Sequence, residues 1–114
     1  MAKQAQKRRR RGRRLPEFLR QFFWQYDFRK LLWPEDRELV IAHLLARGDW
    51  AAICWLRGRM NDPELADWIT SHRGRGLTAR QLRFWELILG IPRYDVDRWL
   101  RQPAHILWEK RRHP

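Results

Sequence analysis

From residue 15 onward the apolar positions recur at spacings of three and four. Prolines sit just inside the periodic stretches and glycines just past them, the asymmetry of helix starts and stops. Pro16 opens a short helix with Phe18, Leu19, Phe22 and Phe23 as its apolar positions. Residues 24 to 33 are aromatic and irregular, which predicts a packed connection with a turn of helix at its end. Pro34 stands at a first-turn position ahead of Glu35, Asp36 and Glu38, acids that suit the positive end of a helix dipole. That helix carries Leu39, Val40, His43, Leu44 and Leu45 before Gly48 stops it.

Asp49 caps the next helix, in which Trp50, Ile53, Cys54, Trp55 and Leu56 give a broad apolar face ending near Gly58. Asp62 before Pro63 repeats the cap-then-proline signal, and Leu65, Trp68, Ile69 and His72 follow at i, i+3, i+4 and i+7. Residues 71 to 76 form a loop. Thr78 then caps the longest helix, where Leu82, Trp85 and Leu89 line one stripe with Phe84 and Ile88 beside it, and Gly90 ends it. Pro92 starts a short helix with Val96, Trp99 and Leu100, and Pro103 starts a last one through Leu107 and Trp108.

No stretch alternates polar and apolar residues over a strand's length, so the fold class is all-α, a compact bundle of six to seven short helices. The tryptophans are unevenly spaced and their surroundings do not match, so there is no internal repeat.

Charge changes this picture mainly at one end. The 114 residues carry 25 Lys and Arg against 13 Asp and Glu, a formal net charge of +12. Residues 1 to 14 contribute eight cations and no acid: Lys3, Lys7, Arg8, Arg9, Arg10, Arg11, Arg13 and Arg14. Such a run repels itself and has no apolar face to bury, so residues 1 to 14 are expected to be a disordered tail. Residues 15 to 114 are expected to form a single helical domain whose C-terminal end, from about residue 109, is again basic. The 44% hydrophobic fraction excludes a wholly disordered basic protein. No apolar run approaches the ~20 residues of a bilayer span, and the basic start is not followed by a secretory apolar segment. A lone cysteine, Cys54, fits a reducing compartment, and the expected location is cytoplasmic.

The tail can neutralise phosphates and displace counterions, giving salt-dependent binding to DNA or RNA without sequence choice. The loop at residues 71 to 76 bears Arg73 and Arg75 and leads into a helix N-terminus with Arg80 and Arg83. Backbone donors, the helix dipole and these guanidinium groups together suit a phosphate or a partner's carboxylate. The binding candidates are therefore Lys7, Arg8, Arg9, Arg10, Arg11, Arg13, Arg14, Arg73, Arg75, Arg80 and Arg83. Trp50, Trp68, Trp85 and Trp99 fall on apolar stripes and are read as core. Trp24, Trp33, Trp55 and Trp108 are less well placed, so an exposed member of that set is where an interface hot spot is expected, with Trp24, Trp33 and Trp55 as the aromatic interface candidates. A helix-turn-helix reader is disfavoured, because its turn is too long and the Thr78 helix is apolar enough to be core.

The four histidines are scattered, with no pair at i, i+3 or i, i+4, and Cys54 has no neighbouring ligand, so no metal set is expected. His43 and Cys54 lie on apolar faces, where a packed imidazole and an inert buried thiol are the ordinary outcome. The acids cluster at helix starts, which capping explains. The expectation is a protein without catalytic residues or cofactor.

Three segments carry a resemblance: Phe22-Phe23-Trp24-Gln25-Tyr26-Asp27-Phe28, then Gly48-Asp49-Trp50-Ala51-Ala52-Ile53-Cys54-Trp55-Leu56, then the stretch 77 to 91 with Leu77, Thr78, Phe84 and Trp85. The chain resembles, over about residues 18 to 92, a family of small uncharacterised helical bacterial proteins. Members of that family often lie beside genes for abortive-infection-type nucleotidyltransferase toxins. The resemblance implies an antitoxin-like protein that binds and neutralises such a toxin, with no catalytic residues to carry over. The Arg-rich tail departs from the family's pattern. Composition alone favours the alternative, a nucleic-acid-binding accessory protein acting through that tail.

Overall fold

The computed structural model describes residues 13 to 112. Among them are two 3-10 helices, Glu17–Phe22 and Phe28–Lys30, and six α-helices. These are α1 Arg37–Arg47, α2 Trp50–Arg59, α3 Asp62–Ser71, α4 Ala79–Leu89, α5 Arg93–Leu100 and α6 Pro103–Arg112. The chain is all-helical over these residues, the only extended pairing among them being a single antiparallel bridge between Arg14 and Leu32. Its contacts divide it into two compact units, Met1–Leu56 and Arg57–Pro114, with the division inside α2.

In the first unit the opening 3-10 helix packs on α1. Leu15, Leu19, Phe23 and Phe28 are buried, as are Val40, Ile41, Leu44 and Leu45 of α1. His43 stacks on Phe23 with ring centroids 5.4 Å apart and meets Tyr26 edge-on at 5.2 Å. Its Nδ1 donates to the Leu39 carbonyl at 3.1 Å, so the imidazole is packed as expected. The helix expected from Pro34 starts three residues later, because residues 33 to 36 form a turn. The Asp36 carboxylate accepts from the Leu32 amide at 2.8 Å, and the Arg37 amide donates to the Pro34 carbonyl at 3.0 Å. Pro34 follows a cis peptide bond.

Gly48 is required by a close approach: a Cβ there would lie 2.6 Å from the Leu44 carbonyl oxygen. Asp49 caps α2 as expected, its Oδ1 accepting from the Ala52 amide at 2.9 Å. The buried side of α2 is Ala52, Ile53 and Leu56. That phase turns Trp50 and Cys54 outward, so Trp50, 61% exposed, is not core and the Cys54 thiol is not buried.

In the second unit α3 packs on α4, α4 on α5 and α5 on α6. The cap of α3 is Asn61 rather than Asp62. Asn61 Oδ1 accepts from the Glu64 amide at 2.8 Å, and Glu64 returns the bond to the Asn61 amide, a reciprocal capping box. Asp62, one residue on, instead accepts two bonds from the Arg57 guanidinium at 3.2 and 3.0 Å. The Thr78 cap of α4 is a second capping box, with Gln81, and Gly90 ends α4 in the left-handed conformation at φ +68°, both as expected. Met60, Leu65, Trp68, Ile69, Leu77, Leu82, Trp85, Ile91, Val96 and Trp99 are buried. The outer side of α4 is apolar yet exposed at Phe84, Leu87 and Ile88, so this helix is core on one side only.

Candidate functional site

Residues 71 to 76 are shaped by the end of α3. The Arg73 amide donates to the Thr70 carbonyl and the Gly74 amide to the Ile69 carbonyl, at 3.0 and 3.1 Å. With Arg73 at φ +53°, this pair of bonds is a Schellman termination with arginine in the position glycine usually holds. Gly74 follows at φ +68° and Gly76 at +81°. The Arg75 amide donates to the His72 carbonyl and the Leu77 amide to the Gly74 carbonyl. His72 itself turns back onto α3, its Nδ1 donating to the Trp68 carbonyl at 2.7 Å and its ring stacked 3.8 Å from Trp68.

This loop borders a pocket of about 320 Å³ lined by Arg73, Arg75, Gly76, Trp99, Gln102, Ala104, His105 and Trp108. His105 Nε2 donates to the Leu77 carbonyl at 2.8 Å, tying α6 to the end of the loop, and Trp108 meets the His105 ring edge-on at 5.6 Å. Among the described side chains no carboxylate lines the pocket. The sequence reading did not single out Gln102 or His105 for this site, and it set Trp108 apart from the core without linking it to Arg73 and Arg75. The detectable signal was the set Ala104, His105 and Trp108 at i, i+1 and i+4, which places them on one side of α6.

The expected cation cluster is only partly assembled. Arg73 and Arg75 share the pocket, whereas Arg83 donates to Glu86 at 2.7 Å and also to Asp97, so its charge is already answered. The hydrogen bonds that Arg83 donates to Asp97 and Glu86 raise the Arg83 pKa, and the one to Asp97 holds that carboxyl below its ordinary value. Arg80 is exposed on α4. Much of the backbone contribution expected of the loop is also taken up, since the Arg73 and Gly74 amides bond the Thr70 and Ile69 carbonyls of α3, those of Arg75 and Leu77 bond the His72 and Gly74 carbonyls, and the Thr78 box occupies the Gln81 amide at the start of α4. Anion binding here falls to the guanidinium groups.

In the first unit, Lys7, Arg8, Arg9, Arg10 and Arg11 lie outside the described residues, as does the expectation of a disordered tail over residues 1 to 12. The last two tail residues are structured. The Arg13 carbonyl accepts from the Trp33 amide at 2.7 Å, its guanidinium pairs with Glu35 at 2.8 Å, and Arg14 bridges Leu32. A second hollow, lined by Arg14, Leu15, Glu17, Arg20, Phe28 and Arg29, contains its own acid. Arg20 is bound to Glu17, which lowers the Glu17 pKa, and its guanidinium covers the Phe28 ring at 4.9 Å. Of the three aromatic candidates, Trp24 is 73% exposed, while Trp33 and Trp55 are half-buried and pack edge-on at 5.7 Å.

Among the described residues no group of three or more His, Cys, Asp or Glu is placed to hold a metal ion, and no helix is long and apolar enough to cross a membrane.

A family of unknown function, DUF6922, matches residues 18–60. No curated protein and no solved structure matches the chain. The matched stretch takes in nearly all of the 3-10 helices, α1 and α2 and stops before Asn61, so the Arg73 pocket and the exposed side of α4 lie outside it.

Proposed function

We propose that the protein is a non-catalytic interaction module of the cytoplasm that binds another protein, as the antitoxin-like partner of a nucleotidyltransferase-type toxin. The observation that carries this reading is the row Phe84, Leu87 and Ile88 on α4, at i, i+3 and i+4, with Leu87 81% exposed. Apolar side chains grouped on one face of a well-capped helix, rather than scattered singly, are what contact sites are built from. Arg80 lies one turn before Phe84 on the same helix, which suits a partner whose cleft is acidic. The groups held away from their ordinary pKa, Glu17 with Arg20 and Asp97 with Arg83, are exposed ion pairs rather than a buried acid and base.

The test is co-expression with an abortive-infection-type nucleotidyltransferase toxin. Growth is expected only when this protein is present, and Leu87→Glu is expected to abolish rescue. Equal growth in its absence overturns the reading.

A second reading, a nucleic-acid-binding accessory protein acting through Lys7, Arg8, Arg9, Arg10, Arg11, Arg13 and Arg14, is supported by the excess of cations over acids at that end. It requires binding to random duplex or RNA that weakens steeply with salt and is largely abolished by replacing Arg8, Arg9, Arg10 and Arg11 with glutamine.

A further inference from the structure

We infer that the pocket between the loop at residues 71 to 76 and α6 binds a nucleoside phosphate, with the phosphate at Arg73 and Arg75 and the base against Trp108. The inference stands apart from both functional readings, since it uses neither the outer side of α4 nor the tail.

Charge is the first support. Arg13, Arg20, Arg57, Arg83 and Arg98 are each paired with a carboxylate, whereas among the described residues Arg73 and Arg75 have none. Two guanidinium groups border a pocket in which no described side chain is an acid, and planar guanidinium forks match the oxygens of a phosphate.

The second support is the rest of the lining. A bare inorganic anion makes no use of indole surface, yet Trp99 and Trp108 supply the apolar part of this pocket, and Gln102 at its edge has both an amide donor and an acceptor. A volume of about 320 Å³ lies at the small end of ligand pockets, fitting one nucleotide rather than a longer segment. Stacking of a base on an aromatic face combined with arginine contacts to phosphate is a general mode of nucleotide and single-strand recognition.

Pre-organisation is the third. Gly74 is buried against Leu82 and Trp99, the Arg73, Gly74 and Arg75 amides bond the Thr70, Ile69 and His72 carbonyls, and His105 is held by the Leu77 carbonyl. The loop between Arg73 and Arg75 is therefore set before a ligand arrives, which lowers the ordering cost of binding.

The same chemistry is presented by a free nucleotide and by the phosphorylated end of a nucleic-acid strand. The experiment is a titration of the full chain, followed by amide and indole resonances, with adenosine monophosphate, adenosine and inorganic phosphate. Adenosine monophosphate is expected to bind tightest and to shift Gly76, Gln102 and Trp108, with adenosine and phosphate each weaker by about tenfold or more. The Arg73→Asn, Arg75→Gln double variant is expected to weaken adenosine monophosphate by at least about tenfold. Arg75→Gln alone supplies the comparison if the double variant loses its dispersed spectrum. Trp108→Leu is expected to weaken adenosine monophosphate and leave inorganic phosphate unchanged, and Leu87→Glu to leave both unchanged. An oligonucleotide with a terminal phosphate, set against the same strand with a terminal hydroxyl, assigns the source: displacement by the phosphorylated strand alone means a strand end, and none by either means a free nucleotide. The inference is overturned if adenosine binds as well as its phosphate, if Arg75→Gln changes nothing, or if only replacing Arg8, Arg9, Arg10 and Arg11 abolishes binding.

Discussion

A Cβ built on Gly74 would lie 2.7 Å from Cδ2 of Leu82, and Leu82 is fully buried. The same Cβ would lie 2.9 Å from Cδ1 of Leu82 and 3.3 Å from the Trp99 ring, so relief requires buried side chains to shift. With φ at +68° an L side chain is strained at this position as well. Gly74→Ala is therefore expected to cost about 1 to 3 kcal/mol, read from urea unfolding, and to weaken ligand binding at Arg73 and Arg75 at the same time. An unchanged midpoint would show that the loop does not close on Leu82.

The Arg83 bonds to Asp97 and Glu86 make a prediction about acid. Because the folded Asp97 carboxyl titrates below its ordinary value of 3.8, its contribution to stability is present above that value and is lost as the pH falls through the lower folded value. Urea midpoints measured against pH are expected to show an acid limb that flattens in Asp97→Asn. An identical limb in the variant would remove this pair as its cause.

Capping separates Asn61 from Asp62. Asn61→Ala is expected to cost about 1 kcal/mol by thermal or urea unfolding, since it removes the acceptor for the Glu64 amide. Asp62→Ala loses a partly exposed pair with Arg57 and is expected to cost less, about 0 to 1 kcal/mol. The reverse order would move the cap.

The tryptophans divide by burial. Trp99→Ala, at a position 2% exposed, is expected to cost about 3 to 5 kcal/mol. Trp50→Ala and Leu87→Glu are expected to stay within about 0.5 kcal/mol of the parent, so any loss of partner binding in Leu87→Glu reads contact rather than unfolding.

Cys54 is expected to react with a thiol reagent in the native protein as fast as a small exposed thiol does. Protection that disappears only with denaturant would return it to the interior.

What could be read from the chain beforehand follows from how local each signal is. Helix ends marked by Thr78, Gly90, Gly48 and Asp49 depend on neighbours within a few residues, and each is where the pattern put it. The phase of α2 was hidden for a different reason. Residues 50 to 56 are all apolar, so no spacing distinguishes the side holding Ala52, Ile53 and Leu56 from the side holding Trp50 and Cys54. Likewise Phe84, Leu87 and Ile88 look like core in a helix whose buried side needs only Leu82 and Trp85. Within the candidate site, Arg73 and Arg75 were legible as a local cluster. The loss of Arg83 to Asp97 and the arrival of His105 and Trp108 depend on contacts across fourteen to more than thirty residues, which periodicity does not carry.

Arg73 ends α3 in a left-handed turn that glycine would hold at lower cost, a difference of about 1 kcal/mol. A chain shaped only for durability would exchange it. Arg73→Gly is accordingly expected to raise the melting temperature while lowering affinity for anions at the pocket, so that at this position thermal robustness and ligand capture pull against each other. A library selected for heat resistance alone would discard the guanidinium here, and one selected for binding would keep it.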